Sequence, residues 1–338
     1  MIIAGTGVVS PIGIGNEAFL KSLQSGFCGI RMSTLHAMPC GQVAREGLDA
    51  LLRDRRFRRA ASFSRFALAA AQLALADAGC ESVAGEASAL VLATMHGASN
   101  YTQEFHRELV LQGIDGASPM LFADSVLNAA VGNVSLCFGI RGPAHTIIGG
   151  ATAFLKSVRL AKELLEQKEA AMVMVVASEE LNEIELSCYS RLGYGPLAEG
   201  GGALLLTASL PGDGNPCVQI LAAASFCNPA DPCRALDTAV SECLEDAGIR
   251  SPEIGLILTD CNDLPERFGE IPRFSPAAGT GQAFAASGSW LTIAATLLLR
   301  PGAAPFPAFP DPEKKAILVY AVDDGGVASA VIIARRGQ

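Results

Sequence analysis

The stretch ALAAAQLALADAG at residues 67–79 recurs in altered form as ALDTAVSECLEDAG at residues 235–248. Both carry apolar residues at helical spacing and end in Asp-Ala-Gly, where glycine can adopt the left-handed conformation that terminates a helix. A short apolar run follows each one, at residues 89–94 and 254–259. Such runs are typical of strands that are covered on both faces. The sequence therefore predicts two copies of a helix-then-strand unit.

The repeat continues downstream, because each half has a glycine-containing segment, then a helix, then another apolar strand. In the first half these are residues 145–150, 152–167 and 171–177. In the second half they are residues 273–281, a helix that ends near Leu299, and residues 316–321. Alternating helices and strands favour an α/β protein with a mostly parallel sheet. We expect two halves, 1–210 and 211–338, that divide in the loop SLPGDGNP.

The composition excludes several classes of protein. The chain has 338 residues, of which 50% are hydrophobic and 17% are charged, and its formal net charge is −9. Apolar residues at this frequency bury enough surface to offset chain entropy, which excludes a disordered protein. The negative charge would repel a phosphate backbone, so we expect no nucleic-acid partner. The longest apolar helix candidate, residues 290–299, is too short to span a bilayer, so no membrane partner is expected.

The ten cysteines do not form a disulfide or zinc pattern. No Cys-x-x-Cys pair occurs, and the start MIIAGTGVVSP lacks the basic region of a secretion signal. We expect reduced, mostly buried thiols in a cytoplasmic protein. The four histidines lie at no metal-ligand spacing to the cysteines, so no metal site is predicted. Of these histidines, His96 and His106 are interpreted as part of a surface loop and the helix after it, and none is assigned a role.

Four segments resemble the β-ketoacyl-acyl-carrier-protein synthases of the thiolase fold. They are IAGTGVVSPIG at 3–13, SLQSGFCGI at 22–30, VGNVSLCFGIRGP at 131–143 and AEGGGALLL at 198–206. The matches are dense up to about residue 210 and sparse afterwards. The resemblance implies a thiolase-like α/β fold with layered αβαβα architecture, and the duplicated core of that family agrees with the internal repeat.

The resemblance also implies that the catalytic positions are degenerate. Active synthases carry a cysteine at a tight turn between a strand and a helix, and the position that resembles it is Ala151. A methyl group can neither become a thiolate nor form an acyl-enzyme. The two family histidines correspond to Asp260 and Gln282, and a lysine corresponds to Ala277 or a neighbour. Neither replacement can both donate to a developing enolate and shuttle a proton, so we expect no condensation by this chain alone.

Two interpretations of the polar residues near this position remain open. The residues that the pseudo-symmetry would bring together are Thr152, Asp260, Asp263, Asp323 and Asp324. They would form either a carboxylate-bearing pocket for a different reaction or a set of caps for backbone donors. Capping is favoured, because no partner base or metal-ligand pattern accompanies them.

A basic segment stands out against the acidic background of the chain. Its arginines are Arg53, Arg55, Arg56, Arg58 and Arg59. By position it resembles the stretch with which synthases receive the acidic acyl carrier protein, and guanidinium groups suit carboxylates and a phosphopantetheine phosphate. The alternative is a solvated helix face. No resident cofactor is expected, since a phosphopantetheine arm would arrive on the carrier protein.

Members of this fold normally dimerise through the strand before the nucleophile turn. The corresponding residues are Ala144, His145, Thr146, Ile147 and Ile148. Loss of the nucleophile on a retained scaffold resembles the chain-length factors of type II polyketide and aryl-polyene systems, which pair with an active ketosynthase and shape its acyl pocket. Two alternatives are an enzyme of altered chemistry on acyl-carrier thioesters, such as a decarboxylase or thioesterase, and a non-catalytic acyl-binding homodimer.

Overall fold

The computed structural model describes residues 1–33, 38–52, 60–83, 85–208, 217–261, 268–304, 306–307, 309, 314 and 316–336. The strands are β1 Ile2–Ser10, β2 Gly13–Ile14, β3 Ile30–Met32, β4 Pro39–Gly41, β5 Ser88–Thr94, β6 Ala144–Ile148, β7 Met172–Glu179, β8 Gly200–Thr207, β9 Val218–Cys227, β10 Ile254–Leu258, β11 Arg273–Phe274, β12 Ala316–Asp323 and β13 Val327–Arg335. The helices are α1 Asn16–Ser25, α2 Arg45–Leu51, α3 Ser62–Asp77, α4 Ser99–Gln112, α5 Pro119–Ser125, α6 Ala129–Phe138, α7 Ala151–Glu166, α8 Glu183–Arg191, α9 Pro232–Ala247, α10 Ala277–Thr280 and α11 Phe284–Leu299.

The order of the strands repeats between the two halves of the chain. In the first half it is β1-β8-β7-β5-β6, and in the second half it is β9-β13-β12-β10-β11. Counted along the chain, the five strands of this order are β1, β5, β6, β7 and β8 in the first half and β9 to β13 in the second. In each half the first of the five pairs with the fifth, the fifth with the fourth, the fourth with the second and the second with the third. The halves join where Ile2 of β1 pairs with Gln219 of β9. The predicted duplication is confirmed, whereas the division within 209–216 lies outside the described residues and stays a prediction.

The sheet is less parallel than the alternating pattern suggests. In the first half β5 pairs parallel with β6 and β7, but β8 pairs antiparallel with β7 and β1. The second half has the same two parallel and two antiparallel pairings. The prediction of a mostly parallel sheet is therefore wrong, because the last strand of each half, β8 or β13, runs antiparallel to both of its neighbours. In the second half this turn is a hairpin in which Asp323 pairs with Val327.

Helices α7 and α11 form the central layer of the molecule. They pack on each other and contact strands of both halves, while α3 and α6 cover the outer face of the first half and α9 covers that of the second. The buried side chains accordingly form one cluster between the halves and one under each outer helix layer. Every residue of α11 from Ala285 to Leu299 is buried. The predicted αβαβα layering is confirmed.

Two glycines of β1 allow helix α3 to lie directly on the strand. A Cβ atom at Gly7 would come within 2.1 Å of the Ala70 carbonyl oxygen, and one at Gly5 within 2.2 Å of the Ala74 carbonyl oxygen. Real side chains do not approach a backbone oxygen so closely, so only glycine fits at either position. This contact explains Gly5 and Gly7 of the first family-like segment.

The thiols are more exposed than the sequence suggests. All ten cysteines are free, and only Cys40 and Cys243 are buried. Cys28, Cys188, Cys227 and Cys233 are exposed. The prediction of mostly buried thiols is wrong, since several lie in loops or at element ends, where the chain meets solvent.

Crossing a bilayer requires a helix of about 20 mostly apolar residues. Within the described part of the chain, no single helix is long and apolar enough for this. Within the same residues, α5 and α6 are long and apolar enough when taken together, but a bend of 85° separates them.

Candidate functional site

A tight turn joins strand β6 to helix α7. The chain passes through Gly149, whose φ is 153°, and Gly150 before α7 begins at Ala151. A Cβ atom at Gly150 would come within 2.5 Å of a carboxylate oxygen of Asp323. A side chain at Gly150 would therefore displace the Asp323 carboxylate, which lies directly over the turn.

A cavity of about 570 Å³ opens at this turn. The degenerate positions that resemble the family nucleophile and histidines, Ala151, Asp260 and Gln282, all line it. Asp323 and Asp324 also line it, and Thr152 lies buried beside it. Asp263 lies outside the described residues. Residues from both halves are thus brought together as the pseudo-symmetry predicts.

Each of the three aspartates accepts a hydrogen bond from a neutral hydroxyl group. Thr152 donates to Asp323, and Tyr194 donates to Asp324. The Ser275 hydroxyl donates to Asp260 at 2.6 Å. Burial raises the pKa of the Asp260 carboxyl to about 6, although the Ser275 hydroxyl and a backbone N–H group oppose the shift. Among the described aspartates, the favoured capping interpretation fits Asp260, which accepts from a backbone N–H group, whereas Asp323 and Asp324 accept from side-chain hydroxyls.

An aromatic cluster that the sequence did not reveal forms one wall of the cavity. Tyr189 and Tyr194 have ring centroids 5.0 Å apart, and Tyr189 lies 4.7 Å from Phe284. All three residues line the cavity, and we call them the aromatic wall. Phe284 has a φ of 42°, a left-handed conformation that is rare for a bulky residue. Strained residues of this kind cluster at functional sites.

His96 contacts two residues of the aromatic wall, Tyr189 and Phe284. Its Nε2 atom lies 3.0 Å from the hydroxyl oxygen of Tyr189, and its ring lies 4.8 Å from that of Phe284. Burial lowers the pKa of His96 to about 4, so the ring is neutral at physiological pH. The interpretation of His96 as a surface-loop residue is wrong. His106, in contrast, is exposed on α4 as expected.

Glu179 connects the segments that carry these aromatic residues. Its carboxyl group accepts hydrogen bonds from the N–H groups of Met95, at 2.5 Å, and of Ala285, at 3.4 Å. Its Oε2 atom also lies 3.9 Å from Nδ1 of His96. The side chain is only 1% exposed, and this burial raises the pKa of Glu179 to about 8. No sequence pattern indicated a buried carboxyl group at the end of β7.

An exposed apolar surface lies next to the turn. Strand β6 is at the edge of the sheet and pairs with β5 alone in the described part of the chain. Helix α4, all of whose residues are described, has no buried residue, and neither does α5. The large apolar side chains exposed on α4 to β6, which we call the apolar face, are Leu109, Val110, Leu111, Ile114, Met120, Phe122, Val126, Leu136 and Ile148.

The structure describes the predicted interface strand but not the predicted docking segment, and both roles stay predictions. Within β6, Ala144, His145 and Ile148 are exposed, and Thr146 and Ile147 are partly buried. The basic segment from Arg53 to Arg59 lies outside the described residues, so carrier docking there stays a prediction.

Comparisons with known proteins agree with the fold and with the first-half motifs. The model of the β-ketoacyl synthase N-terminal domain matches residues 1–200. A polyketide β-ketoacyl synthase 2 from Streptomyces halstedii is 25% identical over 350 residues, which cover 88% of this chain and 84% of the relative.

Solved structures show the same architecture over the whole chain. The ishigamide ketosynthase/chain length factor has a TM-score of 0.83 at 20% identity and covers 99% of both chains. A type II polyketide ketosynthase in complex with its acyl-carrier protein has a TM-score of 0.79 at 20% identity and covers 98% of both. The family match spans more than half of the sequence and agrees with the turn and the duplicated sheet. The chain therefore belongs to the β-ketoacyl synthase family.

Proposed function

We propose that this chain is a non-condensing partner subunit of an active ketosynthase, in the manner of a chain-length factor. The observation that carries the proposal is the apolar face beside the edge of β6. Nine large apolar side chains are exposed there, among them Leu136 and Ile114, each 82% exposed. Large apolar side chains that are exposed together on neighbouring elements are typical of sites of protein association, and a free sheet edge is a template for strand pairing.

The cavity supports a structural role in preference to condensation. At the position of the nucleophile, Ala151 presents a methyl group, and the Asp323 carboxylate lies beside the same turn. A carboxylate disfavours both a neighbouring thiolate and a developing enolate, because like charges repel. The partner would therefore supply the complete catalytic site, while this chain supplies a shape-complementary surface.

The relatives support this assignment of partners. The matched solved structures include a ketosynthase/chain length factor and a ketosynthase with its acyl-carrier protein. We infer that the complex acts in the cytoplasm in a type II polyketide or related pathway. An acyl chain would reach it on a carrier protein, with no cofactor resident in this chain.

Co-expression with an active ketosynthase of the same pathway tests the proposal. Pull-down and size-exclusion chromatography should give a one-to-one complex, and the length of the acyl product should change when this chain is omitted. The double variant Leu136→Glu/Ile148→Glu places two charges in the apolar face and should weaken the complex by roughly a hundredfold or more. Phe226→Glu is the matched control, because Phe226 is 44% exposed on β9 in the other half.

Each outcome distinguishes the proposal from its alternatives. A complex that both variants leave intact would show that the apolar face is not the interface. A stable dimer of this chain alone, with no affinity for the ketosynthase, would replace the proposal with the homodimer. Product formation by the isolated chain from acyl-carrier thioesters would replace it with an enzyme of altered chemistry.

A further inference from the structure

The cavity contains a hydrogen-bonding group, the Tyr189 hydroxyl, that is not at one of the degenerate catalytic positions. Tyr189 lines the cavity from α8, and its hydroxyl oxygen lies 3.0 Å from Nε2 of His96. A phenol hydroxyl has one proton and two acceptor sites, so one bond to His96 leaves further capacity. The ring is fixed by Phe284 and Tyr194 on its other sides. Tyr189 is therefore a rigidly placed polar group on an otherwise largely apolar wall.

The neighbourhood of His96 favours one of its two neutral tautomers. Its Nδ1 atom lies 3.9 Å from Oε2 of Glu179, which is beyond hydrogen-bond distance, whereas its Nε2 atom lies 3.0 Å from the Tyr189 hydroxyl oxygen. We therefore place the proton of the neutral ring on Nε2, where an acceptor lies within reach, and from there it donates to Tyr189. The Tyr189 proton is then free to bind a ligand. The other acidic groups near Tyr189 are Glu185 and Asp324.

The rest of the cavity indicates what kind of molecule would bind. Asp260, Asp323 and Asp324 line it, and its described lining includes no lysine, arginine or histidine, so anions are disfavoured. The three rings of the aromatic wall offer faces and edges to another ring. Its other apolar lining residues are Met95, Ala151, Leu192, Leu291, Ala321 and Val322. A volume of about 570 Å³ suits a small organic molecule.

We propose that this cavity binds an uncharged aromatic carbonyl compound, whose ring packs on the aromatic wall and whose carbonyl oxygen accepts a hydrogen bond from the Tyr189 hydroxyl. His96 is a positioning residue that directs this proton. The site does not depend on pairing with a ketosynthase, so it goes beyond the partner role and can be tested separately.

Prodan, an uncharged naphthyl ketone, is a suitable probe. Its emission moves to longer wavelength when its carbonyl oxygen accepts a hydrogen bond, so one titration of the full chain reports both affinity and contact. We expect saturable binding at one site. Unlabelled 2-acetylnaphthalene should displace the probe, whereas 2-naphthoate, which has the same rings and a negative charge, should not.

Variants separate the hydrogen bond from the shape of the cavity. Tyr189→Phe keeps the ring but removes the hydroxyl, so binding should weaken about threefold to tenfold and emission should move to shorter wavelength. His96→Gln should change the emission in the same direction while leaving the hydroxyl in place. Tyr101→Phe removes a hydroxyl on α4, outside the lining of the cavity, and should change neither quantity.

A cavity-filling variant tests whether the probe binds in this cavity or elsewhere on the protein. Ala151→Phe places a ring in the cavity and should abolish binding, with circular dichroism confirming the fold. The proposal is overturned if Ala151→Phe binds prodan as the unmodified chain does, or if Tyr189→Phe retains both affinity and emission. It is equally overturned if 2-naphthoate competes as well as 2-acetylnaphthalene, or if prodan does not bind.

Discussion

The hydroxyl group of Thr152 donates a hydrogen bond to the carboxylate of Asp323. The first residue lies in the initial turn of α7 and the second ends β12, so the bond connects the two halves of the chain. It also fixes the carboxylate over the turn at which family members carry their nucleophile. A negative charge at this point has direct consequences for any attempt to restore that nucleophile.

Ala151→Cys should not restore condensation. The Asp323 carboxylate lies beside the new thiol and should raise its pKa by about one unit or more, because two negative charges would be close together. Alkylation by iodoacetamide, followed at residue 151 by peptide mass spectrometry as pH is varied, measures this pKa. Addition of Asp323→Asn should lower the pKa and speed alkylation. Condensed product from Ala151→Cys alone would contradict the expectation.

Glu179 should make the protein less stable as pH rises. Its pKa is about 8 in the folded chain and about 4.5 when unfolded, so the fold favours the protonated form. This contribution is complete below about pH 4.5 and is lost progressively up to about pH 8. Glu179→Gln cannot ionise, so its melting temperature should fall less between pH 5 and pH 8. Over this range the free energy of unfolding should fall by roughly 3 to 4 kcal/mol more in the unmodified chain than in Glu179→Gln.

An exposed glutamate provides the control for that measurement. Glu169→Gln removes a carboxyl group from the surface near the end of α7 and should leave the pH dependence unchanged. Equal pH dependence in Glu179→Gln and the unmodified chain would show that Glu179 is ionised in the fold. Differential scanning fluorimetry over the pH range is sufficient for the comparison.

The ends of two helices should respond to substitution in opposite directions. Lys168 follows α7 with a φ of 60°, where Gly248 follows α9 with a φ of 66°. A left-handed conformation strains a side chain but not glycine. Lys168→Gly should therefore stabilise the protein by about 0.5 to 1 kcal/mol, and Gly248→Ala should destabilise it by about 1 kcal/mol. Urea unfolding measures both, and the same sign for both would contradict the argument.

The contact between β1 and α3 should tolerate no side chain. Gly7→Ala would force a methyl group against the Ala70 carbonyl oxygen, so we expect a loss of about 3 kcal/mol or more, or failure to fold. Gly132→Ala is the control, because Gly132 lies inside α6 with no atom within 4 Å of an added Cβ. That variant should be neutral or slightly more stable, since alanine favours helices. Chemical denaturation of both variants makes the comparison.

The duplicated helices were predictable because the pattern that forms them is local. Residues 67–79 fall in α3 and its end, and 235–248 fall in α9 and its end, with Gly79 and Gly248 both left-handed as the Asp-Ala-Gly pattern predicts. The positions of Ala151, Asp260 and Gln282 in one cavity also followed from the family motifs. Local periodicity and a recognised fold thus suffice for the framework.

The aromatic wall and its support were not predictable in the same way. His96 and Tyr189 are 93 residues apart, and their contact depends on how α8 packs after β7. Glu179 was missed because charged residues are seldom buried, and here backbone donors from two segments make burial possible. The apolar residues of α4 and α5 have a helical pattern that normally indicates a core. Only the three-dimensional arrangement shows that they are exposed.

The burial of α11 from Ala285 to Leu299 affects how the chain is made. This helix covers strands of the first half, including β7 and β8, yet it is synthesised after about 90 further residues, which takes about 5 to 20 s on a ribosome. During that interval the nascent first half leaves part of its inner sheet face uncovered. Chaperone holding of the ribosome-bound chain would protect it from aggregation until Leu299 has emerged.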